Sequence, residues 1–129
     1  MRGSLAERLA WSNSETMIIC MIEDVGPAGK VQDILSVDNI DMVLIGPGDL
    51  AQSMGFPEIS RVGSVIDDIL AQAQIAKKPV GFDLSQLPEE RARKMANEGV
   101  QFSIVAPTRL LIKAAFEHKQ WTEDLYENA

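Results

Sequence analysis

Short apolar runs and segments with helical spacing alternate four times along this chain of 129 residues. The apolar runs predict β-strands at Thr16–Ile22, Asp41–Ile45, Pro79–Asp83 and Phe102–Ala106. Apolar residues that recur three and four positions apart predict helices at Pro27–Val37, Asp49–Met54, Ile59–Lys77, Pro88–Glu98 and Thr108–Lys119. We expect Thr108 to cap the last of these helices, and the polar segment Trp121–Ala129 to be helical in part.

This alternation of strands and helices predicts an α/β fold with a parallel sheet and right-handed crossovers. The predicted strands are apolar throughout, as expected of strands that are covered on both faces. No linker divides residues 1–129, so we expect a single domain. Two architectures fit four βα units, a small open sheet or half of a (β/α)8 barrel, since a full barrel needs about 250 residues. The pattern alone does not choose between them.

The net charge and the cysteine content indicate which partners and which compartment to expect for this chain. The net charge of −7 disfavours nucleic acid and anionic membrane surfaces, because both are polyanions. No apolar stretch reaches the roughly 18–20 residues that span a bilayer. The one cysteine, Cys20, lies within the first predicted strand and cannot form an internal disulfide, which fits a reducing compartment. We therefore expect a cytoplasmic protein.

Acidic side chains follow the first two predicted strands. Glu23 comes directly after the first strand, and Asp49 follows the second strand after a Gly46-Pro47-Gly48 turn. Active groups of parallel α/β folds gather at these strand ends, and neighbouring strands lie about 4.8 Å apart. Two carboxylates that share one ion with waters and substrate oxygens suit Mg²⁺ or Mn²⁺. The glycines also let a ligand approach backbone N–H groups, which attract carboxylate or phosphate.

Simpler interpretations remain open for the same residues. Asp49 could be the N-cap of a helix, and Glu23 could belong to a solvated strand end. Asp83, after the third strand, could contact a substrate or start a turn. Arg109, after the fourth strand, is a further residue at this end of the predicted sheet. The turn at residues 46–49 could also hold phosphate without any metal.

The motifs around Glu23 and Asp49 resemble those of the HpcH/HpaI aldolase family, which is related to citrate lyase β subunits. The matching residues are Ile22-Glu23 and the segment from Ile34 to Gly55, which contains Ile45-Gly46-Pro47-Gly48-Asp49-Leu50. The resemblance continues through Lys78–Phe82 and Gly99–Phe102. It implies a (β/α)8 barrel of which this chain supplies the last four units, as a C-terminal half-barrel.

The resemblance also implies a chemistry. The family's divalent cation, Mg²⁺, Mn²⁺ or Co²⁺, would be held by Glu23 and Asp49, and pyruvate would chelate it. The substrate carboxylate would meet the backbone of Gly46, Pro47, Gly48 and Asp49. The cation acts as a Lewis acid that stabilises the enolate while a carbon–carbon bond forms or breaks. The implied activity is a class II aldolase that acts on 4-hydroxy-2-oxo acids or 2-keto-3-deoxy sugar acids. The alternative is a catalytically silent half-barrel that binds metal and 2-oxo acid.

Some features depart from the family pattern. Met21 stands where the family often has glutamine. Arg2 resembles an arginine that lines the family's site, although Met1–Ser4 also matches a vector-derived start. The family's histidine base lies in the N-terminal half, and proton transfer without a base loses roughly 10²–10⁴-fold in rate. Open edges of a half-barrel imply either a homo-oligomer or association with that other half.

Overall fold

The computed structural model describes residues 3–127, except the side chain of Gln86. Its sheet has four parallel strands in the order β1-β2-β3-β4, as the alternation of strands and helices predicts. The strands are β1 Ile19–Ile22, β2 Met42–Ile45, β3 Val80–Phe82 and β4 Val100–Ser103. The sequence placed the fourth strand at Phe102–Ala106, which is wrong by two residues at its start. The strand begins earlier because Val80 pairs with Val100, and the register then shifts by one residue before Gly81 pairs with Phe102.

Seven helices and one 3₁₀ turn of three residues, Leu84–Gln86, surround and connect the described strands. The helices are α1 Leu5–Glu15, α2 Val25–Ala28, α3 Val31–Leu35, α4 Pro47–Ser53, α5 Ile59–Ile75, α6 Glu89–Asn97 and α7 Pro107–Glu127. The helix α1 was not predicted. Its sequence signal is Ser4 followed three residues later by Glu7, which form a capping box.

Two other helix predictions need correction. The expected helix Pro27–Val37 is two short helices, because α2 starts at the Asp24 cap and ends at Gly29. The expected cap at Thr108 is wrong, since α7 begins at Pro107. The carbonyl of Ala106 already accepts hydrogen bonds from the N–H groups of Arg109 (3.0 Å) and Leu110 (3.3 Å). The prediction that Trp121–Ala129 is helical in part is confirmed, because residues 121–127 continue α7.

The hydrophobic core lies between one face of the sheet and the helices α3, α5 and α6. It joins Val43, Ile45 and Val80 of the sheet to Ile69 and Leu70 of α5, all of which are buried. Burying such side chains stabilises the fold by about 1.5–3 kcal/mol each. This packing holds the ends of the central strands β2 and β3 in fixed positions.

The outer strands are less covered than the sequence suggested. All residues of β2 and β3 are buried, but three of the four in β1 and in β4 are not. Coverage on both faces was therefore predicted correctly only for the central strands. Neither α1 nor α7 contains a buried residue. No helix in residues 3–127 is long and apolar enough to cross a membrane.

Candidate functional site

The tips of β1 and β2 lie side by side at the carboxyl edge of the sheet. Ile22 pairs with Ile45 in the parallel register, and the N–H of Gly46 donates a 3.0 Å hydrogen bond to the carbonyl of Ile22. Glu23 and Gly46 are the next residues of the two strands. The two motifs that the sequence singled out therefore leave the sheet next to each other.

The side chain of Glu23 lies against Gly46. A Cβ atom added to Gly46 would stand 3.0 Å from the Cβ of Glu23 and 3.3 Å from its Oε2. The sulfur of Met21 would lie 3.8 Å from the same point. A side chain at position 46 would require Glu23 to move by a few tenths of an ångström, so Gly46 forms a cradle for the Glu23 carboxylate.

Asp49 lies in the first turn of α4 and is not its cap. Gly46 occupies the N-cap position and Pro47 begins the helix, where proline is favoured. The N–H of Leu50 donates to the carbonyl of Gly46 at 2.9 Å, so the N–H groups of Gly48 and Asp49 precede the helical hydrogen bonds. No atom lies within 4 Å of a Cβ position at Gly48, which leaves open space beside these two amides.

Some carboxylates at this edge accept hydrogen bonds from the chain, and others do not. Oδ1 of Asp24 accepts a hydrogen bond from the N–H of Gly26 at 2.7 Å, and Oδ1 of Asp83 accepts one from the N–H of Ser85 at 3.0 Å. Asp83 thus starts a turn, as one of the two interpretations of its sequence held. Glu23 and Asp49 are exposed and make no hydrogen bond or ion pair within residues 3–127. Their oxygens remain available to a ligand.

Glu23 and Asp49 can bind a metal ion only through their side-chain oxygen atoms. Among the described residues, no group of three or more His, Cys, Asp or Glu side chains is arranged to hold a metal ion. A cation held by these two side chains would complete its shell with water and substrate oxygens, which suits Mg²⁺ or Mn²⁺. The unpaired carboxylate oxygens of Glu23 and Asp49 are the ligand type that such an ion prefers. Arg2, the third expected site residue, lies outside the described residues.

A cleft of about 730 Å³ opens beside this edge. Gly46, Pro47, Gly48 and Asp49 line it, and Glu23 does not. The sequence named two further lining residues, Asp83 and Arg109. It missed others, among them Phe56, Pro57, Ile59, Leu87 and Arg91. The missed residues come from α5, from α6 and from the segments that precede these two helices, and only the tertiary fold brings them together. The backbone turns at Gly55 and Phe56, which have φ of 78° and 52°.

The sequence of the chain is similar to those of known aldolases. The family model HpcH/HpaI aldolase/citrate lyase matches residues 2–113. The chain is 30% identical over 114 residues to a hydroxypyruvate/pyruvate aldolase of Sagittula stellata, covering 88% of this chain and 45% of that protein. It is 28% identical over 120 residues to a 2-keto-3-deoxy-L-rhamnonate aldolase of Klebsiella pneumoniae, covering 91% and 44%.

A solved structure has a similar fold over most of this chain. The crystal structure of the citrate synthase SbnG superposes with a TM-score of 0.77 at 27% identity, over 97% of this chain and 51% of that one. This chain spans about half the length of the relatives it matches. Its four βα units correspond to half of a TIM-type barrel. The chain belongs to the HpcH/HpaI aldolase/citrate lyase family.

Proposed function

We propose that this chain supplies the cation and 2-oxo acid site of a class II aldolase. The enzyme would form or cleave a carbon–carbon bond next to pyruvate in a 4-hydroxy-2-oxo acid or a 2-keto-3-deoxy sugar acid. Two relatives support this class, since one is named a hydroxypyruvate/pyruvate aldolase and the other a 2-keto-3-deoxy-L-rhamnonate aldolase. Family membership supports the reaction type.

Glu23 and Asp49 are the residues that would hold Mg²⁺, Mn²⁺ or Co²⁺. Both carboxylates lack partners in the described part of the chain, and Glu23 rests in the Gly46 cradle beside the tip of β2. When bound, a divalent cation supplies Lewis-acid stabilisation of negative charge that develops on a substrate oxygen. Two negative side chains at neighbouring strand tips provide the charge that such an ion requires.

The turn from Gly46 to Asp49 would bind the 2-oxo acid. The N–H groups of Gly48 and Asp49 have no intrahelical acceptor, and they can donate to a carboxylate. The open space beside Gly48 lets a ligand come close to these amides. Pro47 fixes the backbone at the start of the turn, because its ring restricts φ. Arg2 is proposed as an additional residue of this site.

The observation that carries the proposal is the partnerless Glu23 carboxylate above Gly46, next to the turn that bears Asp49. The test is thermal and chemical denaturation of the chain with and without Mg²⁺ or Mn²⁺. At a free metal concentration of about 100 times Kd, binding should stabilise the fold by about 2.7 kcal/mol. Glu23→Gln and Asp49→Asn should each remove this stabilisation.

Asp68→Asn is the matched control. Asp68 is an exposed carboxylate of α5 that does not line the cleft. Its variant loses the same formal charge, so it separates a specific site from general attraction of cations to an acidic chain. Equal metal-dependent stabilisation in all three variants would contradict the proposal.

A further inference from the structure

Ser53 links residues 23–25, the segment that follows β1, to the helix α4. Its Oγ accepts a 3.0 Å hydrogen bond from the backbone N–H of Val25, which lies 28 positions earlier in the chain. The same hydroxyl donates a 2.9 Å hydrogen bond to the carbonyl of Leu50, three residues earlier in α4. Because the O–H points at its own helix, the oxygen of Ser53 is available as an acceptor for the start of α2.

The start of α2 depends on this contact for one of its backbone donors. The first N–H groups of a helix have no acceptor within the helix. In α2 the N–H of Gly26 donates to the side chain of Asp24, and Pro27 has no N–H. The N–H of Val25 donates to Ser53. The cap of α2 is therefore supplied partly by α4 and not by local residues alone.

Two hydrogen bonds thus join the segments that carry the proposed cation ligands. The first connects backbone groups at the tips of β1 and β2 at 3.0 Å. The second is the hydrogen bond between Ser53 and Val25. Glu23 and Asp49 each lie between these two links along the chain. Each carboxylate therefore belongs to a segment that is held to the other segment on both sides of the ligand.

Ser53 and Asp49 lie on the same side of α4. Residues four positions apart in a helix are neighbours on its surface, about 5–6 Å apart at their Cβ atoms. Because Ser53 accepts a hydrogen bond from Val25, this side of α4 faces the segment that follows β1. The hydroxyl of Ser53 therefore acts on the side of the helix from which Asp49 projects.

We infer that Ser53 is a positioning residue of the proposed cation site. Its hydroxyl holds the segment with Glu23 against the side of α4 with Asp49, which keeps the two carboxylates within reach of one ion. The inference rests on the proposed function, because Ser53 acts only through Glu23 and Asp49. Without the hydroxyl, the segment after β1 would be joined to its neighbour at the sheet alone. The binding-competent arrangement would then be less populated, which weakens the apparent affinity for the ion.

Two substitutions of Ser53 test this role through the Mn²⁺ affinity of the 129-residue chain, measured by calorimetric titration. Ser53→Ala removes the oxygen that accepts from Val25 and should weaken Mn²⁺ binding by roughly three- to tenfold. Ser53→Thr keeps a hydroxyl that can donate to the preceding turn, and it should bind Mn²⁺ as the native chain does. Ser53 is exposed, so its replacement by alanine leaves no cavity in the core, and urea denaturation checks that each variant is folded.

Ser36→Ala is the matched control. Ser36 is an exposed serine whose Oγ donates to the carbonyl of Asp33, three residues earlier, at 2.8 Å. Within residues 3–127 it accepts no hydrogen bond from another segment. Its variant loses the same kind of local hydrogen bond and should keep the native Mn²⁺ affinity. Equal affinities of Ser53→Ala and Ser36→Ala, or a Ser53→Thr variant as weak as Ser53→Ala, would overturn the inference.

Hydrogen exchange of the Val25 amide is a second readout, which a purely structural role would not change. Coupling between two sites is reciprocal, so saturating Mg²⁺ should slow exchange of this amide by a factor similar to the affinity that Ser53→Ala loses. Exchange of Val25 that is unchanged by Mg²⁺ would assign Ser53 to the stability of α2 alone and overturn the inference.

Failure of the proposed function has a different signature. If Glu23→Gln binds Mn²⁺ as tightly as the native chain, the cation does not bind at Glu23, and the proposed function and the role of Ser53 are both wrong. If Glu23→Gln abolishes Mn²⁺ binding and Ser53→Ala leaves it unchanged, only the role of Ser53 is wrong.

Discussion

Oε2 of Glu23 lies 3.3 Å from the point where a side chain on Gly46 would begin. The two residues directly follow the paired residues Ile22 and Ile45 of neighbouring strands. The absence of a Cβ on one strand thus creates the space that the carboxylate of the other strand uses. This contact makes the glycine part of the proposed cation site, although it contributes no ligand atom from a side chain.

The first prediction concerns two glycines of the same turn. Gly46→Ala should displace the Glu23 carboxylate and weaken Mn²⁺ binding by about tenfold. This change corresponds to roughly 1.4 kcal/mol of binding free energy. Gly48→Ala should leave Mn²⁺ binding unchanged and raise the free energy of unfolding by about 0.5–1 kcal/mol, because its Cβ meets open space in a helix. Calorimetric titration and urea denaturation measure the two effects. Equal Mn²⁺ affinities of the two variants would exclude the cradle.

The second prediction concerns Gly81 in β3. A Cβ there would stand 2.7 Å from Cδ1 of Leu44, a buried residue of β2. Gly81→Ala should therefore lower the free energy of unfolding by about 1 kcal/mol or more. Gly63→Ala in α5 is the control, since nothing lies within 4 Å of its Cβ position, and this variant should be more stable than the native chain. Equal stability of both variants would contradict the close approach of β2 and β3.

The third prediction concerns the pH dependence of α1. Hydrogen bonds from the backbone N–H and the hydroxyl of Ser4 lower the pKa of Glu7 below its ordinary value. The pKa of Glu7 is lower in the folded chain than in the unfolded chain. Glu7 therefore stabilises α1 fully at pH values above the ordinary Glu pKa. This stabilisation is lost as the pH falls through the lowered value. Carbon-detected NMR titration of Glu7 should show this lowered pKa. Ser4→Ala removes the hydroxyl but keeps the backbone N–H, so it should reverse part of the shift, while Ser12→Ala should leave it unchanged.

The fourth prediction concerns the open edges of the sheet. β1 and β4 each have one strand neighbour, and Phe102 of β4 is 46% exposed. We propose that a second half-barrel, from another copy or from the other half of the enzyme, pairs with these edges. Sedimentation of the 129-residue chain alone should give a mass above that of a monomer. Phe102→Lys should shift it towards the monomer, and Ile59→Lys, which changes an exposed residue away from both edges, should not. A native chain that is monomeric throughout would exclude pairing between copies.

The features predicted best from the sequence are those that depend only on which residues follow each other along the chain. Glu23 and Asp49 follow apolar runs that must be strands, and parallel pairing then brings the tips of β1 and β2 together. The split between α2 and α3 was missed because it depends on the Asp24 cap and on the backbone at Lys30, which has φ of −126°. Arg91 was missed because its place in the cleft depends on packing of α6 against α5, where it meets Asp67.

The length of α7 has a consequence for assembly. This helix of 21 residues extends for roughly 32 Å without a buried side chain, and ion pairs such as Lys119–Glu123 are among the contacts that support it. Most of the stability of a helix in a protein comes from packing of an amphipathic face against its surroundings. Any surface that covers α7 would therefore stabilise this helix, so assembly and the folding of α7 would be thermodynamically linked, and each would strengthen the other.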